Sequence, residues 1–125
     1  MEIRVINIED DLVQIESSKG RLWGKWCSAT PAEFKNYILE LDSDDVIKPS
    51  SVTFIKNEIH KIENRENLVC LCGVVDDFED DVLFLKIDKS IIMIQTSGEQ
   101  SFERFVGRFV CITLSSINFY DTGLF

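Results

Sequence analysis

Residues 68–96 read LVCLCGVVDDFEDDVLFLKIDKSIIMIQT, and this stretch decides the fold class. It opens on a nearly all-apolar run at 68–75, short enough for a strand and apolar enough for burial on both faces. Five carboxylates follow within six positions: Asp76, Asp77, Glu79, Asp80 and Asp81. They read as an acidic loop. VLFLKI at 82–87 is a strand, Asp88-Lys89-Ser90 a tight turn, and IIMIQT at 91–96 a strand that pairs back. Short apolar runs broken by acidic or Gly/Ser turns mark a sheet protein.

The pattern extends in both directions. Residues 2–8 alternate, Glu9-Asp10-Asp11 is a polar turn, and residues 12–17 return. After a second turn, RLWGKWC at 21–27 supplies a third strand. Trp23 and Trp26 stand three apart in it; in a regular strand they point to opposite faces, one into the core and the other available for contact, but core packing of both is the favoured expectation, particularly with a bulge at Gly24. Gly24 between them marks a bulge or the close approach of another backbone. Residues 30–42 fit two templates. Thr30-Pro31-Ala32-Glu33 is a capping box with Pro at the first helical position, and Phe34, Tyr37, Ile38 and Leu41 follow at helical spacing. Tyr37, Leu39 and Leu41 equally alternate as a half-buried strand does. The favoured expectation is a turn at 30–35 and a strand at 36–42, with the helix as the alternative. Residues 42–51 form a loop, 52–63 a strand, 97–107 a polar stretch with room for a helical turn, and 109–120 a closing strand.

No internal repeat or linker stands out. The expectation is one domain, residues 1–125, of the all-β class. It has seven or eight mainly antiparallel strands in a closed or partly open barrel, and room for one short helix near 31–42 or 100–106. A sheet of this size must close into a barrel or fold into a sandwich to bury its apolar face.

The charge balance narrows the partners. There are 22 acidic and 13 basic side chains, a formal net charge of -9. Nucleic-acid affinity is carried mainly by Lys and Arg, so DNA and RNA are disfavoured. A cationic protein partner is favoured at long range. Plain solubility is the alternative explanation. The N-terminal residues have no cationic stretch followed by an apolar core, and no apolar run approaches the ~20 residues of a membrane helix. A cytoplasmic chain with no membrane contact is expected.

Chemistry-bearing motifs are scarce. In a reducing compartment Cys27, Cys70, Cys72 and Cys111 are expected to be buried thiols. Cys70 and Cys72 face the same way in a strand, but a structural zinc needs four ligands at suitable spacing, and His60 with two isolated cysteines does not supply them. No metal and no cofactor are expected. His60, the only histidine, has no local signature of a nucleophile beside it, and no phosphate-binding Gly loop or nucleophile elbow is present. Catalysis is not expected.

The C-terminal half resembles the oligonucleotide/oligosaccharide-binding (OB) fold. The resemblance is carried by a strand ending in Gly73, the acidic loop, the hairpin 82–96, and Val106-Gly107-Arg108-Phe109-Val110 running into Ile117-Asn118-Phe119-Tyr120-Asp121. It implies a small barrel that binds a sugar, a nucleic acid or a small molecule. A nucleic-acid OB surface sets aromatic platforms in a cationic groove, whereas Trp23, Trp26, Phe78 and Phe84 sit among acids. Trp23-Gly24-Lys25-Trp26, with Pro31 and residues 37–42, resembles a pattern of small bacterial proteins. In size and acidity the chain is also similar to the immunity proteins of bacterial polymorphic toxin systems.

The leading expectation is therefore an acidic immunity protein. Asp76, Asp77, Glu79, Asp80 and Asp81, with Asp42, Asp44 and Asp45, would meet Lys and Arg of a basic toxin domain such as a nuclease. Trp23 or Phe78 would be the desolvated anchor. The alternative is an OB-like binding module, signalled by an exposed aromatic groove on 82–96. A small enzyme would need a deep pocket at His60.

Overall fold

The computed structural model describes residues 1–31 and 33–124. Among them the chain forms eleven strands: β1 (Glu2–Glu9), β2 (Leu12–Ser17), β3 (Gly20–Trp26), β4 (Asn36–Asp42), β5 (Val52–Phe54), β6 (Lys61–Arg65), β7 (Leu68–Glu79), β8 (Val82–Ile87), β9 (Ser90–Gln95), β10 (Phe109–Leu114) and β11 (Asn118–Asp121). The class is all-β and mainly antiparallel, as the alternation predicts. The strand number is higher than seven or eight because the nine apolar runs all form strands and two of them, 52–63 and 109–120, are each interrupted. Residues 36–42 are strand, so the alternating template prevails there over the helical one. Single 3-10 turns occupy Pro49–Ser51 and Gln100–Phe105, the second within the region expected to hold a short helix.

β1, β2, β3, β11 and β4 close into a five-stranded barrel in that order. β11 lies parallel to β3 and antiparallel to β4, and β4 pairs back to β1. This is compatible with an OB-like barrel. The closed barrel is built mostly by the first half of the chain, although the residues that resemble the OB fold lie in the second. Those residues form the other sheet, ordered β5-β10-β7-β8-β9 with β6 added on β7, and contribute only β11 to the barrel. Val5, Val13, Ile15, Leu22 and Phe119 fill the barrel with no exposed surface, and they join Leu71, Val75, Leu83, Phe102 and Val110 in one hydrophobic cluster.

Contrary to the expectation of no repeat, the structure shows an internal one, marked in the sequence by little more than a shared Glu-Asp-Asp turn. β1–β3 and β7–β9 are equivalent at a spacing of 70 residues. Each first strand has a bulge, between Val5 and Asn7 or between Val75 and Asp77. Glu9-Asp10-Asp11 and Glu79-Asp80-Asp81 form the matching turns, with Asp10 and Asp80 both at positive φ. Trp26 N–H donates to Asp11 C=O and Thr96 N–H to Asp81 C=O, each at 2.8 Å. The fourth strands repeat as well. Phe34 N–H donates to Val5 C=O and Gly107 N–H to Val75 C=O, and both donors have positive φ.

The halves exchange their closing strands. β11 follows β10 of the second half but completes the first barrel. The segment after β4 crosses the other way: Ile47 bridges Thr96 beside β9 and β5 pairs with β10. The two crossing segments clasp each other. Asp45 accepts from Ser115 N–H at 2.7 Å and Ser115 Oγ at 2.5 Å, Ser43 Oγ donates to the Ser116 carbonyl, and buried Asn118 donates to Asp42 at 3.0 Å and Asp44 at 3.2 Å. Removing a carboxylate that accepts two such bonds leaves donors without their partner. Because Ser115 is exposed and water can take the place of the carboxylate, Asp45→Ala is expected to cost about 0.5–1.5 kcal/mol in urea unfolding. Asp44→Ala, which loses one longer bond, should cost less, and the reverse order would contradict this account of the clasp.

Candidate functional site

The ten residues singled out by the sequence separate into distinct settings. Asp42, Asp44 and Asp45 come together at the strand crossover, where their carboxylates accept the bonds described above. Asp42 and Asp44 also stand near Tyr120 and, with Cys27, hold its phenol above the ordinary range, the Asp42 charge being the largest cause. The acidic stretch 76–81 is only partly a loop. β7 continues through Glu79, so Asp76, Asp77 and Glu79 are exposed strand residues and the turn is reduced to Asp80 and Asp81. The physical reason is the pairing with β8: Asp77 faces Phe84 and Phe78 faces Leu83, so exposed carboxylates ride on a strand whose other face is covered. The turn reaches toward the crossover through Thr96. Asp81 C=O accepts from Thr96 N–H and Oγ1, and the flanking Gln95 and Ser97 hydrogen-bond to Ile47, two residues beyond Asp45.

Neither expected aromatic anchor is a free surface ring. Phe78 stacks on the fully buried Phe102 at 5.5 Å between ring centroids and packs against the core. Trp23 is half-buried, while Trp26, on the opposite face, is buried, donates its indole N–H to the Ala29 carbonyl and packs edge-on against Tyr37 at 5.0 Å. Gly24 makes room for the Phe119 ring rather than for another backbone, and no bulge interrupts β2–β3.

Trp23 does line a cleft of about 350 Å³, with Glu9, Leu12, Lys25, Asn64, Asn67 and Ser115 around it. In an OB-like barrel this is the surface of the second and third strands between the β1–β2 turn and the chain entering the fifth strand, where such barrels take ligands. Asn64 and Asn67 come from the β6–β7 hairpin, and Asn64 Oδ1 accepts the Trp23 N–H at 2.8 Å. The sequence shows no signal for them, since the contact joins strands 41 residues apart. The face of 82–96 carries half-buried Phe84 with exposed Ile91 and Met93, one aromatic ring and no row of them.

His60 does not lie in the strand expected over 52–63. It lies between β5 and β6 with its ring largely covered, Nδ1 accepting the Asp88 N–H at 2.7 Å and Nε2 facing Glu58 at 3.2 Å. Both nitrogens are thus engaged in tying the β8–β9 turn to the chain before β6. The cysteines also depart from expectation. Cys72 and Cys111 face each other across β7 and β10, their Cα atoms 4.1 Å apart, and form a disulfide. Facing positions on adjacent antiparallel strands bring Cβ atoms close enough to bridge. Cys70 remains a buried thiol and Cys27 an exposed one, and burial pushes the Cys70 thiol up.

The chain is thus a small all-β protein with a closed five-stranded barrel and a second, half-equivalent sheet; no helix among the described residues is long and apolar enough to cross a membrane. No family profile, curated protein or solved structure matches it at a significant level.

Proposed function

We propose that this is a non-catalytic binding protein that neutralises a cationic partner, as an immunity protein does with a basic toxin domain. The observation that carries the reading is the state of its carboxylates. Among the described residues, the ion pairs to Lys or Arg use only Glu16 and Glu63. Among the described residues no Lys or Arg forms an ion pair with Asp42, Asp44, Asp45, Asp76, Asp77, Glu79, Asp80 or Asp81. Charges left unneutralised on the surface of a protein with net charge -9 attract a basic surface and speed its docking.

The test removes charge without changing shape. Asp76→Asn, Asp77→Asn, Glu79→Gln and Asp80→Asn are combined in one variant. Asn at 77 keeps the acceptor for the Phe78 N–H, and Asn tolerates the positive φ of position 80. Capture from host lysate by the wild-type protein is expected to yield one basic protein, lost as salt rises. The variant should bind it at least about tenfold more slowly at low salt, with unchanged folding stability. Equal capture by wild type and variant, or recovery of glycan or nucleic acid alone, overturns the reading.

The cleft at Trp23 favours a second reading, an OB-like module for a small polar ligand. An indole flanked by two amides and a serine hydroxyl suits a sugar, with the ring covering an apolar face and the amides reading hydroxyls. In that case oligosaccharide titration quenches Trp fluorescence, and Asn67→Gly, which keeps the positive φ of that turn and removes the amide, abolishes the quenching.

A further inference from the structure

The outer face of the second sheet gathers three sulfurs. Cys70 and Cys72 alternate on β7, and Cys111 stands opposite Cys72 on β10. All three Sγ atoms lie within 4.8 Å of one another, and Cys70 Sγ is 3.9 Å from Cys72 Sγ. Around a metal with bonds of about 2.3 Å to sulfur, thiolates stand about 4 Å apart, so this spacing is that of a thiolate site once the bridge is open. We propose that the reduced protein binds one soft monovalent cation, copper(I) in character, through Cys70, Cys72 and Cys111.

The surroundings select that ion. Among the described residues no fourth histidine, cysteine or carboxylate joins the group. Glu63, opposite Cys70, is turned to Lys61 at 3.0 Å and Arg65 at 2.7 Å. Zinc in a structural site takes four ligands, whereas soft copper(I) is satisfied by as few as two or three thiolates, the number this group supplies. Three thiolates and one monovalent cation leave two negative charges. Lys61 faces Cys72 on β6 and Arg65 follows on the same strand; with Glu63 between them they place one net positive charge beside the site. Burial of Cys70 and Cys72 keeps water from competing, and a cleft lined by Arg65, Glu66, Leu68, Cys70 and Thr113 provides entry beside Cys70.

The disulfide makes the site conditional on reduction. A dithiol reductant opens the Cys72–Cys111 bond; its own two thiols become a disulfide, and two electrons and two protons pass to the two cysteine sulfurs. Cation binding then forms three metal–sulfur bonds and releases three thiol protons.

The experiment uses the full chain, reduced and desalted without oxygen, and titrates copper(I) against a chromophoric copper(I) chelator. One equivalent is expected to be withheld from the chelator, with a thiolate-to-copper absorption band in the near ultraviolet. Oxidised protein, with Cys72 and Cys111 joined, should withhold none. Cys70→Ser leaves the bridge intact and should lose the retention, while Cys27→Ser, at the exposed fourth cysteine, should keep it. Circular dichroism of reduced Cys70→Ser separates loss of the site from loss of the fold. No retention by folded reduced protein overturns the proposal. So does equal retention by the oxidised form, or by Cys70→Ser.

Discussion

Phe119→Ala is expected to lower the stability of the barrel by about 3–5 kcal/mol, the cost of removing a large fully buried ring that the surroundings cannot refill. Phe119 has no exposed surface and sits on β11, the strand that closes the barrel between β3 and β4. Its ring lies over Gly24: a Cβ built there would be 2.5 Å from Phe119 Cζ and 2.9 Å from Ile117 Cγ2. Gly24→Ala should therefore cost about 1–3 kcal/mol by overpacking. The two changes share one cause, so their effects should not add. In the double variant the alanine at 24 enters space that the ring has left, and the loss should fall below the sum of the singles by at least about 0.5 kcal/mol. Urea midpoints at constant slope measure all three. Strict additivity would mean that β11 does not pack on Gly24, and the exchanged-strand closure would then be wrong.

That closure marks the boundary of what the residues disclose. The hairpins were legible because alternation and turn chemistry act within a few residues: β7, β8 and β9 follow from LVCLCGVV, VLFLKI and IIMIQT with their polar turns. Partner choice is not local. Nothing in NFYD states that it will lie parallel to β3 instead of completing the sheet it follows. The repeat was hidden for a related reason. Beyond the shared Glu-Asp-Asp turn it resides in hydrogen bonds and backbone conformation, and mostly different side chains satisfy it. Phe34 and Gly107 share a left-handed conformation and the same backbone bond, although only glycine adopts it without cost.

The acidic residues divide along the same line. Their number and exposure were legible from composition, but the duty of each was not. Asp42, Asp44 and Asp45 read as free charges because the hydroxyl and amide that engage them lie 70 to 76 residues away in sequence. The structural duty weakens their case as partner contacts and concentrates the proposal on the exposed carboxylates from Asp76 to Asp80. A residue whose carboxylate is already hydrogen-bonded gives up part of that bonding to meet a partner's cation. Asp76 and Glu79 give up nothing comparable.

Opening the Cys72–Cys111 bridge is the second change expected to matter greatly. The bridge closes a loop of 39 residues, and in the chain-entropy account such a loop raises folded stability by about 4 kcal/mol by restricting the unfolded chain. Native packing and residual structure reduce the return, so reduction should cost about 2–4 kcal/mol, a fall in Tm on the order of 10 °C. The effect should centre on the second sheet. β10 is held there by β7 on one side and by only three residues of β5 on the other. Thermal unfolding with and without a dithiol reductant measures it, with thiols counted by alkylation and intact mass. Cys72→Ala/Cys111→Ala should unfold near the reduced wild-type temperature and ignore reductant. An oxidised preparation with four alkylatable thiols would remove the bridge from the account. If the three sulfurs also bind copper(I), one equivalent added to the reduced protein should restore part of the lost Tm, because a ligand held only by the folded state stabilises it. The double alanine variant should show no such recovery, so that the contribution of the cross-link and that of the cation are read separately from the same three sulfurs.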